Sequence, residues 1–403
     1  MTSSSTAPAL ALPARHSAGC PYGPPPAYTE AAATSSLTRA TMPGGESVWL
    51  VTGYAEVRAI LSDRRFSSDV RHPSFPLLIA GGRDRITENP SFLNLDDPEH
   101  NRLRRMVTGD FLVKRIEAMR PDIQRITDET LDTMTAGRTG ADLVADFALP
   151  IPSLVICLLL GVPYEDHEFF QRVSRALLSR SSSPEQLLDA RDEMLEYLKE
   201  LTARKRKEPQ DDILSRLAVR DDLTTQEIAS TGFLLLVGGH ETTANMISLS
   251  TALLLEQPEQ ISRLADPAAL PGAVEELLRH LTIIHTGVAR VALEDVELAG
   301  TTIRADEGVM AMLSTANRDA EVFGGAGRPA EELDLDRDAR RHLAFGFGVH
   351  QCLGQPLARA ELQIALATLF RRLPGLRLTV PHEELEFRTD AFIYGMRSLP
   401  VAW

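Results

Sequence analysis

His342-Leu343-Ala344-Phe345-Gly346-Phe347-Gly348-Val349-His350-Gln351-Cys352-Leu353-Gly354 sets one cysteine in a glycine-rich loop, with two histidines beside it and a helix directly after it. In that helix Ala358, Leu362, Ala365, Leu366 and Leu369 recur at helical spacing, and Pro356 falls in the first turn, where its missing N–H is no loss. A cysteine at such a junction meets unpaired backbone N–H groups and the positive end of the helix dipole, and both favour a thiolate. Gly348 and Gly354 admit backbone angles closed to residues with a Cβ and let the main chain approach the sulfur. The loop is therefore a place to hold a metal macrocycle through sulfur. An isolated cysteine in a glycine loop is more often a buried structural residue; it is the pattern from 345 to 354 that argues otherwise.

Two further segments stand upstream. The apolar stretch 225–257 reads as one helix of roughly 30 residues, about 45 Å long, enough to cross a whole domain. Gly238-Gly239-His240-Glu241-Thr242-Thr243 lies at its middle, and each mid-helix glycine costs about 1 kcal/mol relative to alanine, so the pair asks for a reason. A core helix with a solvated Glu241 and a Thr242 bonded to its own backbone is an equally good reading of that segment alone. His240, Glu241 and Asn245 interrupt the apolar run, which argues against a membrane span. Glu276 and Arg279 share one helical face, a spacing that by itself usually marks a surface salt bridge worth about 0–1 kcal/mol.

Together these segments resemble the cytochromes P450. Phe345-x-x-Gly348-x-His350-x-Cys352-x-Gly354 is similar to the haem-binding signature of that family, 238–243 to the oxygen-binding segment of its distal helix, and Glu276-x-x-Arg279 to its Glu-x-x-Arg element, in the family's order. The resemblance implies a mainly α fold with small β-sheets, a single triangular domain with a long central helix over haem b (iron protoporphyrin IX). Cys352 would be the metal ligand, with Phe345, Gly348 and Gly354 shaping its cradle. His100 and Arg104 would meet the propionates on one side, and Arg290, His342 and His350 on the other. Room for dioxygen is expected at Gly239, and Glu241 and Thr242 match the acid and alcohol that deliver protons. Arg337 would join Glu276 and Arg279 in a buried structural ion network.

The implied reaction is hydroxylation or epoxidation of a mainly apolar small molecule, using O2 and two electrons from NAD(P)H through ferredoxin reductase and ferredoxin. Phrases such as Gly161-Val162-Pro163-Tyr164 and the closing Leu399-Pro400-Val401-Ala402-Trp403 are similar to soluble actinomycete P450s that oxidise macrolides, polyenes, steroids and xenobiotics, in secondary metabolism or detoxification. A peroxide-driven or isomerising relative would lack the acid and alcohol, and a haem-binding sensor or carrier would need no proton relay. By the resemblance, the pocket is lined by Leu77, Leu78 and Ile79; Leu177 and Leu178; Leu235 and Leu236; Ile283, Ile284, His285 and Val288; and Phe392 and Ile393. That lining is mostly aliphatic and suits a sizeable apolar ligand, although each residue could equally pack the core. Glu331-Glu332-Leu333 departs from the family's usual proline and basic residue there.

Composition fits one domain. Hydrophobic residues make up 43% of 403, enough for a large core, and no linker divides the chain after about residue 25. Residues 1–24, rich in Ala, Pro and Ser, read as a flexible tail before a domain over 25–403, with no secretion signal or membrane anchor. Cysteines at 20, 157 and 352 form no disulfide framework, which suits the cytoplasm. A net charge of −14 argues against nucleic acid. Residues 98–120 nevertheless hold six Arg/Lys against three Asp/Glu, so an acidic ferredoxin is the expected partner of a monomer, at Arg105, Lys114, Arg115 and Arg359. Strands are expected at 47–52, 296–298, 309–313, 376–380 and 399–402. Helices are expected to begin at Tyr54, Glu99, Arg120, Pro152, Asp166, Pro184, Thr225, Ser262 and Gly272.

Overall fold

The long apolar stretch forms one helix, Thr225–Glu256. Thr224 starts it with a capping box: its hydroxyl accepts from the Glu227 N–H while the Glu227 carboxylate accepts from the Thr224 N–H. This central helix is flanked by the helices Pro150–Leu160, Pro184–Lys207 and Gln355–Arg372. The computed structural model describes residues 10–17, 21–78, 83–166, 169, 172–173, 176–177, 182–325, 327–389 and 391–403.

Behind Gln355–Arg372 lies the helix Val113–Thr135, which runs through Pro121. Its start at Val113 replaces the expected one at Arg120. Ile116 and Ile123 are buried on either side of the proline, so tertiary packing outweighs the roughly 3 kcal/mol that an interior proline costs. Other starts agree within a turn, with helices at Tyr54–Ser62, Glu99–Thr108 and Leu270–Leu281, and the helix expected from Asp166 falls largely outside the described residues.

The strands are β1 (Leu10–Ala11), β2 (Leu37–Thr41), β3 (Ser47–Val51), β4 (Phe66–Ser67), β5 (Gly140–Asp142), β6 (Val288–Ala292), β7 (Val296–Leu298), β8 (Thr301–Ile303), β9 (Gly308–Ala311), β10 (Arg377–Leu378) and β11 (Pro400–Ala402). One sheet has the order β1-β2-β3-β9-β6-β4, a second β10-β11-β5, and β7 pairs with β8. The strand expected over 309–313 stops at Ala311, and the chain turns at once into the short helix Leu313–Ala316.

Within the stretch 1–24, expected as a flexible tail, residues 10–17 and 21–24 are ordered against the domain. Leu10–Ala11 pairs parallel to β2, Leu12 packs with Tyr28, Met42, Met310 and Met312, and Tyr22 is buried, its hydroxyl donating to Glu256. Apolar positions at Leu10, Leu12 and Tyr22 anchor a segment whose Ala/Pro/Ser content had suggested none.

Candidate active site

The cysteine loop is built by its glycines. Gly346 and Gly348 adopt left-handed φ of 70° and 73°, folding the chain so that the Cys352 N–H donates to the Phe345 carbonyl at 2.8 Å. At Gly348 a Cβ would stand 2.3 Å from the Leu61 carbonyl oxygen, whereas at Gly354 it would clear the Cys352 sulfur by 4.0 Å. Gly348→Ala is therefore expected to cost about 1–2 kcal/mol in backbone strain, plus the clash, and Gly354→Ala much less. Soret absorbance per mole of protein and Tm read the difference; equal losses at the two sites would refute it.

Cys352 is closely surrounded by protein, yet its side chain is accessible. Burial pushes its thiol pKa up, opposed by hydrogen bonds from the Gly354 and Gln355 N–H groups and by the positive charge of Arg104 and Arg359. Beside it stands a cluster of cations and imidazoles. The Arg104 guanidinium donates to the Gln351 carbonyl at 2.5 Å, and that of Arg290 to the Ala289 carbonyl at 2.7 Å. The His100 and His350 rings lie 4.1 Å apart, and His100 Nε2 and His350 Nδ1 are buried without hydrogen-bond partners. Burial, then neighbouring positive charge, holds His350 down at about 3; burial pulls Arg290 down to about 10.

On the central helix, Gly238 and Thr242 are accessible while the residues around them are mostly buried. The Thr242 hydroxyl donates to the Gly238 carbonyl at 2.6 Å, and nothing lies within 4 Å of where a Gly238 Cβ would be. Glu241 is buried and accepts from Arg388 at 2.6 Å. Behind the loop, Glu276 receives both arms of Arg279, at 2.7 and 2.8 Å, and one from Arg337 at 3.1 Å, in a network almost without solvent. The family model described as Cytochrome P450 matches residues 268–387. Cytochrome P450-SU2 of Streptomyces griseolus is 61% identical over 405 residues, covering 100% of both chains.

The chain is a cytochrome P450. Pentalenic acid synthase of Streptomyces avermitilis is 51% identical over 389 residues, 95% of each chain. The crystal structure of GfsF, a P450 of Streptomyces halstedii, superposes with a TM-score of 0.90 at 46% identity, covering 98% of this chain and 100% of that one. The P450 is thus a haem-dependent monooxygenase, and its residues fit the cofactor. The sulfur is open, and two buried imidazole nitrogens lack partners. Among the described residues neither Arg104 nor Arg290 has a carboxylate in ion-pair range. A cluster of this kind suits the two propionates of a haem.

Several expected roles change. His342 is not free for a propionate: Nε2 meets Glu275 at 3.1 Å and Nδ1 accepts from the Ala344 N–H at 3.1 Å, so it braces the loop. Arg359 is held by the same Glu275 carboxylate at 2.6 and 2.9 Å, which removes it from the docking surface, while Arg105, Lys114 and Arg115 stay exposed. The room expected at Gly239 lies at Gly238, because a Cβ on Gly239 would come within 3.0 Å of Ile156. His285 does not face a cavity; it is buried against His16 at 3.0 Å and the Leu281 carbonyl at 3.1 Å.

Of the remaining pocket residues, Leu235, Leu236 and Ile283 belong to the packed core, with 8%, 3% and 8% exposure. Leu77, Leu78, Leu177, Ile284, Val288 and Ile393 are partly buried, as is Phe392; Ile79 and Leu178 lie outside the described residues. Arg388 was missed, and no local pattern marks it. The departure at Glu331-Glu332-Leu333 proves harmless, since the Glu332 carbonyl, not its side chain, accepts from Arg279 and Arg337.

Proposed function

We propose that this P450 hydroxylates or epoxidises a sizeable apolar small molecule in secondary metabolism or xenobiotic oxidation. Two electrons come singly from NAD(P)H through a ferredoxin reductase and a ferredoxin. The observation that carries this reading is the pairing of an open, buried Cys352 sulfur at a helix N-terminus with an accessible Gly238 and Thr242 halfway along the central helix. A relative named for making pentalenic acid keeps a tailoring step in a biosynthetic route among the roles open to this chain. Arg105, Lys114 and Arg115 around exposed Leu112 and Val113 suit docking of an acidic ferredoxin. No helix among the described residues is long and apolar enough to cross a membrane.

Bound haem supplies the iron at which dioxygen is activated for insertion into a C–H bond. The chain does the rest. Cys352 Sγ would hold the iron, its charge held by the Gly354 and Gln355 N–H groups. His100, Arg104, Arg290 and His350 would hold its propionates. Gly238 leaves space, and the Thr242 hydroxyl turns from its own helix carbonyl to orient a proton toward it, resupplied by the Glu241 carboxyl.

The first test is the absorption spectrum of the reduced, CO-bound protein. A strongly red-shifted Soret band supports thiolate ligation, and a band at the position of histidine-ligated haem counts against it. Substrates then follow from the spin-state shift that apolar compounds induce. Thr242→Ala is expected to keep consuming NADPH while releasing peroxide, with product per electron down about ten-fold or more. Product per electron at the wild-type level would remove Thr242 from the proton path.

A further inference from the structure

The face of the central helix that carries Glu241 and Asn245, one turn apart, lies on a hairpin near the C-terminus. Phe387 and Met396 bridge its two strands, and the Arg388 N–H donates to the Gly395 carbonyl at 2.7 Å, so Arg388 and Gly395 sit across from each other. This rung meets the helix twice. Arg388 Nη1 donates to Glu241 Oε2 at 2.6 Å, with 14% and 1% side-chain exposure. Gly395 lies under Asn245 so closely that a Cβ there would stand 2.0 Å from the amide oxygen. The other carboxylate oxygen, Glu241 Oε1, is buried and has no hydrogen-bond partner.

A buried carboxylate with no cation beside it takes up a proton and stays neutral; one held by a guanidinium stays charged. We propose that Arg388 is a positioning residue for Glu241. It anchors Oε2 to the hairpin and keeps the carboxylate ionised, which leaves Oε1 as the atom that takes up and passes on protons. The hairpin also carries Phe392 and Ile393, expected pocket residues, so one backbone unit bears on both the ligand and the proton donor. The bare Cα of Gly395 is what lets that unit come close enough. This assignment rests on the acid and alcohol reading of Glu241 and Thr242.

The test compares the haem-loaded wild type with Arg388→Met, Arg388→Lys, Glu241→Gln and Arg388→Met/Glu241→Gln at neutral pH. In the infrared spectrum of the reduced CO complex, Arg388→Met gains the carbonyl band of a protonated carboxylic acid. The double variant lacks that band, and Arg388→Lys shows little of it. An unmoved Soret band in the same samples establishes that the cysteine ligand is intact. With NADPH, ferredoxin reductase, ferredoxin and 7-ethoxycoumarin as the probe, peroxide released per electron rises several-fold in Arg388→Met and returns toward wild type in Arg388→Lys. Absence of the acid band overturns the proposal. So does a rise in peroxide without the band, because the defect then lies in the shape of the pocket. Should Glu241→Gln alone leave the peroxide yield unchanged, the relay reading fails, and the band still decides whether Arg388 sets the charge of Glu241.

Discussion

Cys352→Ala yields a folded protein whose reduced CO complex lacks the strongly red-shifted Soret band and whose oxygenation falls below detection. The sulfur is the one soft donor in the loop, and no imidazole can replace it without breaking other contacts. His342 is fixed between Glu275 and the Ala344 N–H, while the His100 and His350 rings pack on one another at a 40° tilt beside Arg104 and Arg290. Stability should change little. The alanine fits the same loop conformation, and removing a buried thiol whose pKa is raised by burial spares the fold no favourable charge. Haem content and thermal melting separate this outcome from simple unfolding. Full oxygenation by the alanine variant would overturn thiolate ligation and every assignment that depends on it.

The sequence was most legible where chemistry dictates spacing. A sulfur ligand before a helix, a left-handed glycine at 348 and a Glu/Arg pair on one helical face are local patterns, and the structure keeps all three, with Glu276 and Arg279 fully buried; Gly354, expected to need unusual angles as well, has an ordinary φ of −79°. It was least legible where a contact joins distant segments. Gly238 and Gly239 look alike in sequence; only the approach of Ile156 from a neighbouring helix separates the close-packed one from the open one. His342 and His350 both flank the cysteine, but Glu275, 67 residues upstream of His342, claims the first. Arg388 is joined to Glu241 across 147 residues. Glu361 stands on the helix after the cysteine, where burial pushes its carboxyl up to about 8, so it is protonated at neutral pH beside Thr243. None of these pairings leaves a local periodicity to read.

Arg279→Met is expected to be the most damaging substitution away from the haem. Its guanidinium is fully buried and makes five hydrogen bonds: two to Glu276 and one each to the carbonyls of Asn317, Ala330 and Glu332. Methionine fills most of the volume but leaves the Asn317 and Ala330 carbonyls unsatisfied and strips Glu276 of its main counter-charge, with only Arg337 remaining. Breaking a buried pair from one side costs about 3–5 kcal/mol, before the orphaned carbonyls are counted. That is a large share of the roughly 5–15 kcal/mol by which a folded protein is stable. The loss falls on the segment 317–337, which leads into the cysteine loop, so haem incorporation should fail along with folding. Arg337→Met should be milder, because Arg337 lies at the edge of the network and gives Glu276 a single bond. Arg279→Met/Glu276→Leu should recover part of the loss by removing the stranded charge. Tm and the yield of the CO-bound Soret band measure all three. A single variant that melts within a few degrees of wild type, or a double variant no better than the single, would mean that side-chain packing rather than buried charge holds this segment against the helix Leu270–Leu281.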